Sequence, residues 1–389
     1  MSARPPAPLI SPDRLLALFL DLVRIDSHSR READVARRLV RELEAVGAEV
    51  WFDDAGARVG GNVGNLMARV PGNRRAAPLL LSAHMDTVAP GEGVRPIVEG
   101  DVIRSDGRTV LGGDDKSGLA IICEVLRAVI ESDVPHGDLE VVFTICEEVG
   151  LLGAKHLDPS RLAARPGLVL DSDAPGYLFT RAPAADHLEF VVHGLEAHAG
   201  MAPERGINAI RVAAEGLAAM RLGRVDDETT ANIGAIEGGG ATNVVPNTVR
   251  LRGEARSHDL QKLADQSAHM RACLEEAAAR HATTCDGETR RARVESTITR
   301  SYERMHVPDG APIVQLVHRA AAALGHQVTS AAMGGGCDAN VLNGRGFEVA
   351  NLGTGMRDIH SVKEWVRISD MVRTAETIVE IVRLRAEAA

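Results

Sequence analysis

Leu79-Leu80-Leu81-Ser82-Ala83-His84-Met85-Asp86-Thr87 runs from an apolar segment straight into a histidine and an acid. Residues 79–83 have the length and character of a strand buried on both faces, and the two-residue period puts His84 and Asp86 on one side at its C-terminal end. The same pattern recurs outward along the chain. Leu139–Ile145 leads into Glu147 and Glu148, Leu168–Leu170 into Asp171 and Asp173, and Phe347–Leu352 into Gly353-Thr-Gly-Met-Arg357-Asp-Ile-His360. Helical segments lie between them. One opens at Ser11 and Pro12, an N-cap and a first helical residue, and reaches about Ile25; a second spans about Glu32 to Val46 and stops at Gly47; a third covers Ser117–Ile130. Strands are also expected at Ala48–Phe52 and Asn65–Val70. Apolar strands alternating with helices predict an α/β fold, with a mixed sheet covered by helices on both faces.

The middle of the chain reads differently. Strands at His187–His193, Ala231–Ile236, Thr248–Ala255 and Arg290–Ser296 accompany helices at Asn208–Leu222 and His258–His281. This is the pattern of a small α+β module with its sheet covered on one face. The α/β pattern resumes near Ser301, with a helix at Pro312–Leu324, a strand near Val328 and a closing helix at about Ser369–Arg385. The 389 residues suit two or three domains at about 150 residues each. The expected division is a discontinuous domain of residues 1–181 and 299–389 with residues 182–298 inserted.

Composition excludes several classes. Hydrophobic residues at 45% and charged residues at 25% are not those of a disordered chain. A net charge of −10 gives no support for the basic face that a nucleic-acid binder usually carries. No apolar run approaches the roughly 18 residues of a membrane span. The start is Pro-rich over residues 4–12 and lacks a basic-then-apolar signal pattern. Cys123, Cys146, Cys273, Cys285 and Cys337 are scattered, as expected of reduced thiols in the cytoplasm. Met220, Cys123 and Cys273 read as helix core, and His28, His136, His156, His258, His269, His281 and His326 as solvated.

The chemistry lies at the strand ends. His84-x-Asp86 alone is a weak signal, because a histidine ending a strand is commonly a structural hydrogen bonder. Gly112-Gly113-Asp114-Asp115-Lys116-Ser-Gly118 opens a helix, and its acids could simply cap it. Paired carboxylates such as Glu147 and Glu148 repel unless a cation or a proton is present. Taken together, apolar strands that deliver Asp, Glu or His to one rim of a sheet bring ligands into convergence. Histidine and carboxylates without cysteine suit Zn²⁺ or a similar divalent ion. The candidates oversupply one tetrahedral ion, and two ions sharing a carboxylate fit better, as used for hydrolysis of amides and phosphoesters. There is no GxSxG nucleophile motif.

HMDT, GGDDKSG, EEVG, VLD and GTGMRDIH together resemble the dinuclear zinc exopeptidases, a family that includes peptidase T, glutamate carboxypeptidase, aminoacylase and acetylornithine deacetylase. The DDK form and Gly334-Gly-Gly-Cys-Asp338-Ala-Asn340 are most similar to the peptidase T branch. The resemblance implies that Asp114 bridges two metals, most simply zinc, with cobalt or manganese as alternatives. His84 and Asp171 would complete one site and Glu148 and His360 the other. Glu147 would be the general base, and Asp86 the carboxylate that holds His84. A cis peptide would follow the bridging Asp114. The inserted module would be a lid, where His193-Gly-Leu-Glu-Ala-His198-Ala-Gly200 places His198 on the reacting intermediate and where Asn243 and Arg256 bind a substrate carboxylate. Arg256 in a simple surface ion pair is the competing expectation. The implied activity is cleavage of short peptides by an aminopeptidase in a homodimer joined through the lid. Alternatives are an amidohydrolase, deacylase or carboxypeptidase acting on N-acyl amino acids or dipeptides, and a non-catalytic binding protein on the same scaffold. Asp338 is expected to shape a substrate-side loop or to cap a helix.

Overall fold

The computed structural model describes residues 9–173 and 176–387. Residues 4–8 of the Pro-rich tract lie outside the described residues. The chain divides into two compact units, one of Met1–Arg181, Met305–Met333 and Cys337–Ala389, the other of Ala182–Arg304 with Gly334–Gly336.

The first unit is built on a 9-stranded mixed sheet. At its centre Leu139–Thr144, Leu79–His84, Pro166–Val169 and Glu348–Leu352 lie side by side in that order, all parallel. Leu66–Val70 and Glu49–Phe52 extend one edge antiparallel. Leu79–His84 and Leu139–Thr144 are buried at every position, which requires cover on both faces. The helix Gly113–Glu131 is buried nearly all round and packs on Leu79–His84 and against the helices Pro12–Val23 and Ile368–Glu387. Pro12–Val23 starts where Ser11 accepts the Arg14 N–H, with Pro12 needing no amide partner. A separate three-stranded sheet of Ile97–Glu99, Val102–Arg104 and Trp365–Arg367 has no counterpart in the expected elements, because strands this short carry no readable period. His136 is a correction of another kind. It is buried rather than solvated, with Nδ1 2.8 Å from the Val134 carbonyl.

The second unit is a 5-stranded antiparallel sheet in the order Gly223–Arg224, Thr229–Gly238, Thr248–Ser257, Ala184–His193 and Arg293–Tyr302. Helices Ala209–Ala219 and Leu260–Ala279 cover one face, where Leu188, Phe190, Val192, Leu251, Leu263 and Leu274 form the core. The single strand read at Arg290–Ser296 is instead the end of a hairpin, Ala282–Cys285 with Glu288–Arg291, followed by a long strand from Arg293 to Tyr302. Asp286 and Gly287 turn the hairpin with φ of 54° and 84°, the left-handed pair that a two-residue turn requires.

Candidate metal centre

Four parallel strands bring their ends to one rim. His84 ends its strand, Glu147 and Glu148 follow Thr144, Asp171 follows Val169, and His360 lies beyond Leu352. Asp114 enters from the start of the helix Gly113–Glu131, where its φ of −81° and ψ of 103° are non-helical. The Asp114–Asp115 peptide is cis.

The side chains converge. His84 Nε2 lies 2.9 Å from Asp114 Oδ1. His360 Nε2 lies 3.1 Å from Asp114 Oδ2 and 3.1 Å from Glu148 Oε1. Three trios can each hold an ion with donor atoms within 4.8 Å of one another: His84, Asp114 and Asp171; Asp114, Glu148 and His360; and His84, Glu147 and Glu148. Asp114 belongs to two trios, one with each of the histidine and carboxylate pairs expected above. Glu147 belongs to the third, so geometry alone allows it to be a ligand as well as a base.

The electrostatics fit a divalent cation. Burial pushes Asp114 upward, yet the imidazoles of His360 and His84 win and hold it below the usual carboxylate range. Burial, then the negative charge of Asp171, pushes Glu147 well above its usual value. Burial and Asp114 push Asp171 up to about 8. Hydrogen bonds to Asp114 and Glu148 raise His360 to about 10. Carboxylates this close favour protons unless positive charge compensates them, and imidazole nitrogens and carboxylate oxygens without a thiol are a donor set for zinc-like ions.

Residues 80–384 match the profile of the peptidase family M20/M25/M40. The chain belongs to this family. The aminopeptidase PepT of Bacillus cereus is 38% identical, with a TM-score of 0.88 over 97% of this chain and 100% of that chain. A tripeptidase of Staphylococcus aureus is 36% identical, with a TM-score of 0.91 over 97% of this chain and 100% of that chain. A peptidase T of Vibrio cholerae is 28% identical over 384 residues, 89% of each chain. As a member, the protein is a metal-dependent, peptide-cleaving hydrolase of the peptidase T type, in line with the likeness carried by the five motifs.

In this M20/M25/M40 peptidase the loops around the centre are held by buried carboxylates. His84 Nδ1 lies 3.4 Å from Asp86 Oδ1 and is not aligned as a hydrogen bond. The Asp86 oxygens are taken elsewhere: Oδ1 accepts the Glu147 N–H at 2.9 Å, and Oδ2 accepts the Glu148 N–H at 3.2 Å and the Ser29 hydroxyl at 2.6 Å. Asp115 accepts the N–H of His84 and, as a cap, that of Gly118. Glu364 is buried and accepts the N–H groups of Leu111 at 2.7 Å, Gly112 at 2.8 Å and Asp114 at 2.9 Å. The sequence signals none of this for Glu364, an isolated acid just before a three-residue strand. Lys116 is buried with Nζ on the Ile25 carbonyl at 2.8 Å, and burial pushes it down to about 8. Asp338 neither caps through its side chain nor faces solvent. It is buried, accepts the Thr144 hydroxyl at 2.5 Å, and is pushed up to about 6 by burial.

His198, Asn243 and Arg256 lie in the second unit. His198 Nδ1 accepts the N–H groups of Gly200 at 3.2 Å and Met201 at 3.1 Å, which assigns the ring proton to Nε2. The Asn243 carbonyl accepts the Ala199 N–H at 2.9 Å, so Asn243 and His198 are neighbours. Arg256 donates from Nη2 to Glu254 at 3.0 Å, the ion pair weighed above, while its buried Nε has no hydrogen-bond partner.

Proposed function

We propose that the protein is a two-metal aminopeptidase that removes the first residue of short peptides, tripeptides included. The observation that carries this is Asp114 shared between two ligand trios, and the likeness to an aminopeptidase and a tripeptidase supports the substrate class. His84 and Asp171 would hold one ion, Glu148 and His360 the other, with Asp114 common to both. When bound, such ions polarise a scissile carbonyl and lower the pKa of water. Glu147 takes a proton from the attacking water on a carboxylate oxygen and hands it to the leaving amine as the C–N bond breaks. Asp86 keeps the backbone of Glu147 and Glu148 in place. His198, with its proton on Nε2, donates to the developing oxyanion. Arg256, with an unused Nε donor, and Asn243 take the substrate carboxylate.

Zinc is the ion that the donor set favours, with cobalt and manganese as competitors. A homodimer joined through the second unit belongs to the same reading. The cysteines are free of disulfides, which supports a cytoplasmic setting. Among the described residues no helix is long and apolar enough to cross a membrane.

The test is a screen of di- and tripeptides against N-acyl amino acids with zinc, cobalt or manganese restored and metal content measured. Release of the N-terminal residue from tripeptides is expected, and cleavage of N-acyl amino acids alone refutes the aminopeptidase reading. Glu147→Gln should retain both ions and lose turnover by about a hundredfold or more. Loss of an ion with the activity would make Glu147 a ligand.

A further inference from the structure

The geometry points to Glu32 as a positioning residue that aims Glu147, an inference that rests on Glu147 being the base. Glu32 lies in the loop before the helix Ala33–Ala45 and is completely buried. Its Oε1 accepts the N–H of Cys146 at 3.0 Å and that of Arg30 at 3.0 Å, with the Cys146 thiol at 3.4 Å. Its Oε2 has no hydrogen-bond partner. None of these contacts is to a candidate metal ligand.

Cys146 is the residue immediately before Glu147, and its φ is 53°. That left-handed conformation is unfavourable for a residue with a side chain and persists only where surroundings impose it. Here the N–H groups of three successive residues are each captured by a buried carboxylate. Cys146 donates to Glu32, and Glu147 and Glu148 donate to the two oxygens of Asp86. The same short segment anchors both acceptors, because Ser29 bonds Asp86 and Arg30 bonds Glu32. The conformation of Cys146 sets the direction in which Glu147 leaves the strand. Withdrawing the Glu32 oxygen leaves a buried N–H without an acceptor and removes what opposes relaxation of the left-handed turn.

The choice of a carboxylate supports a specific task. Burial, reinforced by nearby Asp86, pushes Glu32 above its usual value, so the position is unfavourable for an acid whose oxygen is not needed. Only one oxygen is used, so glutamine can supply the same acceptor, whereas aspartate keeps the charge but is too short to reach.

The experiment compares Glu32→Asp, Glu32→Gln and Glu32→Ala in the metal-loaded enzyme, beside Glu147→Gln. Glu32→Asp and Glu32→Ala are expected to lower kcat about 10- to 100-fold, with KM within about threefold and metal content unchanged. Glu32→Gln is expected to stay within about threefold of the parent enzyme. Hydrogen exchange followed by mass spectrometry should show faster exchange across residues 146–148 in Glu32→Asp but not in Glu32→Gln. If Glu32→Ala does not fold, the Asp and Gln pair decides. Parent-level kcat in Glu32→Asp, beside an inactive Glu147→Gln, overturns the positioning role alone. Equal losses in Glu32→Gln and Glu32→Asp overturn it, because an acceptor of the same reach then fails to restore turnover, and metal loss in step with kcat overturns it in favour of ligand-loop support. Full turnover by Glu147→Gln removes the base and the positioning role together.

Discussion

Asp86→Asn isolates what one buried carboxylate does for the centre. The side chain is fully buried, and its oxygens accept from Glu147 N–H at 2.9 Å, Glu148 N–H at 3.2 Å and the Ser29 hydroxyl at 2.6 Å. An amide offers one acceptor oxygen, so its NH₂ must face a donor. The Ser29 hydroxyl can turn and accept from that NH₂, so the least costly orientation keeps Glu147 bonded and leaves Glu148 N–H without a partner. A buried unpaired donor costs about 1–3 kcal/mol, and a hydrogen bond to a charged acceptor contributes about 1.5–3 kcal/mol. The expected loss is therefore about 2–3 kcal/mol, a large share of a total stability of about 5–15 kcal/mol. Urea unfolding of the metal-free protein measures it without metal linkage. The sign with pH follows from the folded state. Burial opposes ionisation of Asp86, but the His84 imidazole and the Ser29 hydroxyl outweigh it and hold the carboxyl below its ordinary value of 3.8. Its contribution is therefore complete above that value and is lost as pH falls through the depressed folded value. The difference between parent and variant should be equal at about pH 6 and about pH 8 and shrink only in acid. Misaiming of Glu147 should also lower kcat by up to about 100-fold. A variant within about 0.5 kcal/mol of the parent, with unchanged kcat, would refute the reasoning.

His360→Ala should lower metal content at one site, and two ions at full occupancy would remove it as a ligand. His198→Ala should lower kcat/KM and leave metal content untouched, whereas an unchanged kcat/KM removes it from the reaction. A thiol reagent under native conditions should modify Cys285 first, since Cys123, Cys146, Cys273 and Cys337 are buried and burial pushes Cys146 up to about 12. Fast reaction of more than one thiol per folded chain would contradict that burial.

The sheet centre was legible because burial on both faces leaves a continuous apolar run. Leu79–His84 and Leu139–Thr144 come close to such runs, broken inside only by Ser82 and Glu140, and the acids and histidines at or just past their ends are residues that converge. The family likeness came from the same end residues. The hairpin at Asp286-Gly287 was missed although its turn residues are a recognised signal, because Glu288–Arg291 is polar and exposed throughout and Ala282–Cys285 is short and never fully buried. His136 was misjudged because a polar neighbourhood in sequence says nothing about burial in space.

What the sequence determined by itself is local: which segments are buried strands or amphipathic helices, and which chemical groups stand at their ends. Those follow from period and residue type within a few neighbours. Only the tertiary structure decided that Glu364 would bind the loop before Asp114, that Asp86 would bind Glu147 and Glu148 more than His84, and that Glu32 would bind Cys146. In each of these pairings the carboxylate holds a backbone N–H group, which every residue but proline possesses. Nothing in residue identity distinguishes the partner chosen, and the choice rests on which distant segments the packed sheet and helices bring within hydrogen-bond reach.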